Sequence, residues 1–377
     1  MLCAGIEGGK RKNMTDEQAQ SAFGFHGNWK DFGRIALPNL LLTIVTLGVY
    51  RFWAITRERR YLWSQTRFID EHLEWTGTGK ELFFGFGLVL ILFGIPYFVM
   101  QVVAQRLMLN GQEAAGAILT FAMLAIIFYL LGVARFRALR YRLGRTRWRG
   151  IRGGSDNPGF LYGLSYMWKT AAGILAMGLM VPWSMVSLWN QRWRAMSFGP
   201  LQFEAHADFS SLMKRYLLFY LSPFLILIVL FVIGAALFFG FNLSGEYDAG
   251  KGVEGWSAVI SVLLLFYVLF FVVYGFIYLV YYAKYFRVVI GEMELGKLQF
   301  GFDASTKDWI KLGLGDIAVV VLTLGIGYVF LSYRHWKFFV IHMHAYGEVN
   351  VDDLTQSTTR QARHGEGLLD AFDVGAI

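Results

Sequence analysis

The sequence predicts an all-α integral membrane protein. Four full-length transmembrane helices form two hairpins, beside three repeated broken or re-entrant helical segments with short strand-like pieces at their flanks. Three observations lead there. Of 377 residues, 56% are hydrophobic, 17% aromatic and only 16% charged, against about 25% charged in an average soluble domain. The apolar residues are bunched into runs over 82–104, 114–134, 216–241 and 256–283, each about 20 residues or more, the length a helix needs to cross a bilayer core. The chain also matches itself at fixed offsets.

Taken in order, residues 1–20 are polar, end in TDEQAQ and contain no apolar signal region, so they read as a disordered cytoplasmic lead. Cys3 is the single cysteine, which leaves no disulfide framework and no cysteine-based metal site. Residues 21–350 read as one membrane domain, with repeat units over 23–81, 145–210 and 298–350 and apolar hairpins over 82–134 and 214–286. Residues 351–377 (DLTQSTTRQARHGEGLLD within them) form a polar tail.

The repeat is clearest at an offset of 277. Phe23-Gly24-Phe25 falls on Phe300-Gly301-Phe302, Lys30-Asp31 on Lys307-Asp308, Thr46-Leu47-Gly48 on Thr323-Leu324-Gly325, and Arg57 on Arg334. Eight or more identities in one ungapped register exceed what shared hydrophobicity produces, because several are Gly, Thr, Lys or Asp. An offset of 130 sets Gly48 on Gly178, Trp53 on Trp183 and Trp63 on Trp193. Internal duplication of this kind is common where a membrane protein binds something between its repeats.

Asn39, Leu42-Thr43, Thr46-Leu47-Gly48, Tyr50 and Trp53, with Pro182-Trp183 in the second unit, resemble the signature of the YjgN family of bacterial inner-membrane proteins. The resemblance covers roughly residues 23 to 350. It implies a multi-pass inner-membrane protein and supplies no activity and no catalytic residue.

Charge sets the expected orientation. Arg51–Arg67 holds five arginines and 135–152 holds eight, whereas the turns 109–116 and 242–255 are poor in Lys and Arg. Basic clusters beside spans stay in the cytoplasm, so the two turns are external and the N-terminus is cytoplasmic. If the three segments of Thr-Leu-Gly type all spanned, giving seven spans, Arg192 and Arg194 would lie opposite Arg145–Arg152. If the segments near 35–53, 168–188 and 311–332 enter and return, every basic cluster stays inside with four spans. The 35–50 run is short and carries Pro38 and Gly48 as breakers, which favours four.

Candidate residues follow from this frame. Asn39, Thr46, Gly48, Arg57, Gly178, Trp183, Asp316, Thr323, Gly325 and Arg334 are candidates to line a cavity built on broken backbone. Asp316 is an acid inside an apolar segment, a costly placement that marks a site or a partner. Arg135, Arg137, Arg140, Arg147 and Arg149 suit contact with anionic headgroups, not nucleic acid, since they adjoin a span. His335, His342 and His344, with Glu348, lack a compact metal-ligand spacing. No H-E-x-x-H, Gly-x-Ser-x-Gly or G-x-x-x-x-G-K-[ST] occurs, so no catalytic residue, metal or cofactor is assigned. The predicted partner is the bilayer with its anionic lipids. The predicted role is binding or transport of a small anionic solute or lipid. A scaffold for a cytoplasmic partner and a lipid-modifying enzyme are the alternatives.

Overall fold

The computed structural model describes residues 22–243, 252–347 and 355–359. The polar lead, the centre of the acidic 242–255 loop and most of the tail lie outside the described residues. Strand β1 (Phe23–Phe25) leads into helices α1 (Trp29–Val45) and α2 (Arg51–Ser64), then strands β2 (Thr66–Phe68), β3 (Glu71–His72) and β4 (Glu74–Trp75). Helix α3 (Gly79–Val89) continues through a π-helical turn (Leu90–Gly94) into α4 (Ile95–Leu109), and α5 (Glu113–Arg145) returns. Thr78 caps α3 by accepting from the Glu81 N–H. The π turn sits where Pro96, in the first turn of α4, removes a donor from the helical ladder and crowds the preceding carbonyls.

Strands β5 (Thr146–Trp148) and β6 (Ile151–Gly154) precede α6 (Phe160–Leu175) and α7 (Val181–Arg194), followed by β7 (Ser197–Phe198) and β8 (Leu201–Ala205). The second long hairpin is α8 (Ser210–Leu243) and α9 (Gly252–Gly291). Strands β9 (Met293–Leu295) and β10 (Leu298–Phe302), helix α10 (Thr306–Leu322), a 3-10 turn (Ile326–Phe330), helix α11 (Leu331–His342) and strand β11 (Met343–Tyr346) complete the described fold. Four helices, Gly79–Leu109, Glu113–Arg145, Ser210–Ala236 and Leu263–Gly291, are long and apolar enough to cross a membrane.

The all-α expectation is corrected by the strands. They are not isolated flanks: β4 to β11 pair in chain order in one eight-stranded antiparallel sheet, and β1, β2 and β3 form a second sheet. The two sheets adjoin through Leu73, and the Phe23 and Phe300 rings, 6.4 Å apart, bring β1 beside β10 and β11. Strands of two to five residues show too little alternation to be read locally. Their partners lie far off in sequence, as Glu74 with Arg147 and Phe203 with Leu295 do. A consequence is geometric. Each helical excursion, 26–65, 76–145, 155–196, 206–292 and 303–342, begins and ends at this strand assembly.

Aromatic packing fixes the helices to the sheet. Trp63 stacks on Trp336 at 4.0 Å and meets Trp75 edge-on at 5.0 Å. Its indole N–H donates to Thr146 Oγ1, Trp336 donates to Thr66 Oγ1, and Trp148 donates to the Phe68 carbonyl. Trp63, Trp336 and Trp148 thus each satisfy their one polar atom, while the buried Trp75 indole N–H has no acceptor among the described residues. The tail segment 355–359 docks on the β5–β6 hairpin: Gln356 donates to the Gly150 carbonyl, and Arg152 donates to the carbonyls of Ser357 and Thr359.

Helices α5 and α6 touch almost backbone to backbone. A Cβ on Gly132 would lie 2.5 Å from Tyr166, and one on Gly163 would lie 2.5 Å from Val133, the small-residue contact by which membrane helices pack closely. Gly163→Leu is therefore expected to cost about 1–3 kcal/mol through overpacking, read as a lowered thermal midpoint in detergent. Gly275→Ala, with open space around it, leaves the midpoint unchanged within error.

Candidate functional site

The three shorter helical hairpins turn in the same way. Leu47, Met177 and Leu324 have φ of 51°, 49° and 51°, and the glycines that follow, Gly48, Gly178 and Gly325, have 93°, 88° and 92°. The N–H of each glycine donates to a carbonyl five residues back, at Thr43, Gly173 and Val320. Two consecutive left-handed residues close each helix, and glycine is the residue that adopts the second without strain. Thr46 and Thr323 reinforce their turns. Each hydroxyl donates to a carbonyl four residues back and accepts an N–H four residues on, from Tyr50 and Gly327.

The turns point outward. Leu47 and Leu324 are each 94% exposed, and a Cβ on Gly48 or Gly325 would meet nothing within 4 Å. Gly178 differs: its carbonyl accepts from the Tyr216 hydroxyl at 2.7 Å, and Tyr220 packs beside it. The turns therefore do not gather around a common chamber.

One position inside these hairpins carries three different chemistries. Offsets of 130 and 277 relate Asn39, Lys169 and Asp316, and likewise Arg57, Ser187 and Arg334. Asn39 is 1% exposed and donates to the Ala54 carbonyl. Asp316 accepts from Arg334 Nε and pairs with His335, both at 2.6 Å. Lys169 donates to Ser187 Oγ at 2.7 Å and Gln191 Oε1 at 3.1 Å. The same helix–helix contact is thus neutral in the first unit, cationic in the second and an ion pair in the third.

Two cavities lie beside these contacts. The larger, about 700 Å³, is walled by Trp29, Leu312, Phe330, Tyr333 and Phe338, with Lys311, Lys337 and Arg334 as its cations. Asp308 and His342 also reach it, 3.9 Å from one another. The smaller, about 560 Å³, is polar: Lys169, Ser187, Asn190, Gln191 and Arg194 meet Trp183 there.

Of the residues picked from sequence, Thr323 and Arg334 line the first cavity and Trp183 the second; Asn39, Thr46, Gly48, Arg57, Gly178, Asp316 and Gly325 line neither. Arg57 is exposed and lies over the Tyr50 ring at 5.5 Å. Sequence reading missed Lys169, Lys311 and Lys337. The signal for Lys169 was present, since it interrupts the apolar stretch FLYGLSYMWKTAAGIL at the offset that also relates Gly48 to Gly178.

The arginines picked as headgroup contacts are held by the protein itself. Arg137 donates to the Pro158 carbonyl, Arg140 to the Asn157 carbonyl, and Arg149 pairs with Asp70. Arg135 lies over the Tyr166 ring, and Arg147 sits in β5 between Glu74 and Arg152. The histidines each face a different carboxylate, His335 at Asp316, His342 at Asp308 and His344 at Asp303, and Glu348 lies outside the described residues. Arg192 is buried against Trp189.

A family model for bacterial proteins of unknown function, DUF898, matches residues 20–371. The inner membrane protein YjgN of Escherichia coli O157:H7 is 30% identical over 140 residues, 37% of this chain and 32% of that protein. YjgN of Escherichia coli strain K12 is 27% identical over the same length. YjgN of Salmonella typhimurium LT2 is 28% identical over 127 residues, 34% of this chain and 29% of the relative. The match thus spans about a third of the length of these curated relatives. No solved structure matches the chain.

Asp316→Asn leaves a half-buried Arg334 without its counter-charge and is expected to cost about 1–3 kcal/mol; Arg334→Gln in the same chain recovers part of the loss, as a double-mutant thermal cycle reads. Asp308 predicts a pH effect. The Ser305 hydroxyl and backbone N–H, both donating to its carboxylate, hold its carboxyl below the ordinary range. A depressed carboxyl stabilises fully above about pH 4 and loses that contribution as pH falls through its folded value. The stability gap between wild type and Asp308→Asn should therefore be present at neutral pH and shrink under acid.

Proposed function

The chain belongs to the DUF898 family, together with the YjgN inner-membrane proteins, and from that premise we propose that it holds an anionic amphiphile in the cavity between α10, α11 and the start of α1. It is an inner-membrane protein with apolar helices. In the proposed arrangement the hairpins α3–α5 and α8–α9 span the bilayer four times, and α1–α2, α6–α7 and α10–α11 enter from the cytoplasmic face and return.

The strand pairing supports this topology. Residues 145–154 and 197–205 are joined through β6 and β7, and a hydrogen-bonded sheet with open edges is not stable in lipid. A seven-span path would have to separate those strands across the bilayer. The Gly178 turn also meets α8 at Tyr216 and Tyr220, within two turns of Lys214 and Arg215, a depth that fits a segment dipping from the basic side. Positive charge near the strands supports a cytoplasmic position for them and for the N-terminus.

The observation that carries the functional reading is the make-up of the larger cavity. Its walls are aromatic and aliphatic, which suits an acyl or isoprenoid chain. Its exposed cations Lys311 and Lys337 stand at the rim, while Arg334 is already paired with Asp316. An anionic headgroup at the rim with its chain inside meets both chemistries.

Two experiments test these readings. In a Cys3→Ser background, Gln112→Cys should react with an impermeant maleimide in intact spheroplasts and Gln202→Cys should react only after lysis; the reverse pattern rejects the topology. Protein purified from membranes should carry phosphatidylglycerol in preference to phosphatidylethanolamine by native mass spectrometry. Lys311→Ala with Lys337→Ala should lower that retention severalfold; unchanged retention rejects the cavity.

A further inference from the structure

Lys169 is buried, 9% exposed, within the second hairpin. Its two hydrogen-bond partners, Ser187 and Gln191, are neutral. Trp168 and Trp183 lie near its ammonium at 5.9 and 6.0 Å, and no carboxylate pairs with it among the described residues. The corresponding contact in the third hairpin supplies its own counter-ion, and in the first it needs none. A buried charge without a counter-charge is costly. In the second hairpin that charge faces a cavity of about 560 Å³.

The rest of the lining is chemically specific. An ammonium has three N–H donors, and two of those on Lys169 are used. Arg194 directs Nε to the Ala205 carbonyl and one terminal nitrogen to His206, and it lines the same cavity. Asn190 donates its amide N–H to the Ala207 carbonyl at 2.9 Å. That bond fixes the side-chain orientation, and the Asn190 Oδ1 is left buried with no donor. The pocket is therefore lined by two cations and by an asparagine whose acceptor is unfilled.

We propose that this pocket binds a phosphate group carrying a proton, as free phosphate or as a phosphomonoester headgroup. Lys169 and Arg194 meet the charged oxygens, and the P–OH donates to Asn190 Oδ1. Sulfate carries the charge without that proton at neutral pH, and a phosphodiester lipid lacks it as well. The site is separate from the amphiphile cavity and shares none of its lining residues.

The test uses the full chain in nanodiscs. In phosphatidylcholine discs, inorganic phosphate is titrated by calorimetry at constant ionic strength; in a second arm, discs with phosphatidic acid are assayed for retention of that lipid. Saturable phosphate binding in the first arm identifies free phosphate, and selective phosphatidic acid retention without it identifies the headgroup; either supports the site. Lys169→Met should weaken the observed binding tenfold or more, Asn190→Leu should abolish preference over sulfate, and Lys311→Ala should change neither. Thermal midpoints of all variants separate lost binding from lost folding, with Lys169→Arg as the charge-retaining rescue should Lys169→Met melt early. Absence of binding in both arms, undiminished binding by folded Lys169→Met, or sulfate bound as tightly as phosphate overturns the proposal.

Discussion

The backbone hydrogen bonds between short strands constrain everything else in this molecule. Each strand has only two to five residues, too few to persist alone in water. They survive by pairing in series and by aromatic rings laid across them, such as Trp148 on Phe68 and Phe203 on Phe300. Because β4 to β11 are neighbours in chain order, the ends of every helical excursion are tied to one place. The lengths of the excursions then decide their character: two are long hairpins with apolar sides of 27 to 33 residues, and three are pairs of helices of 12 to 17 residues closed by left-handed turns.

Much of this was legible beforehand, for reasons that differ by element. The four long helices were readable because continuous apolar length is a one-dimensional property. The Thr-Leu-Gly turns were readable because they recur, and because glycine and threonine have specific tasks in closing a helix. The sheet was not readable: pairing Glu74 with Arg147, or Phe203 with Leu295, depends on tertiary proximity that no local pattern encodes. The arginine cluster after α5 was read as a positive anchor for anionic headgroups. Its contacts within the protein were not legible: Arg137 and Arg140 donate to backbone carbonyls and Arg149 pairs with Asp70, partners that lie 17 to 79 residues away in sequence.

The candidate sites were partly legible for a related reason. Asp316 was noticed as an isolated acid, while Lys169, the same position in another repeat, passed unremarked among the aromatic residues around it. The helix contact keeps its shape across the three hairpins while its charge varies. Asn39, Lys169 and Asp316 occupy one geometry, and their differences locate chemistry more sharply than any conserved-looking turn does. The turn residues maintain shape; the residues about two helical turns below them differ in what they demand of their surroundings.

The serial order of the strands bears on how such a chain is made. A polypeptide emerging from the ribosome presents β5 when β4 already exists, β7 when β6 exists, and so on to β11. Each new segment finds its template at an edge completed moments before, so assembly proceeds by accretion without threading one element between two others. The cost falls on the interval between partners, which is longest across the 206–292 excursion. During that interval β8 waits with an open edge, and a helper protein or early docking of α8 against α7 is what would keep it from pairing elsewhere.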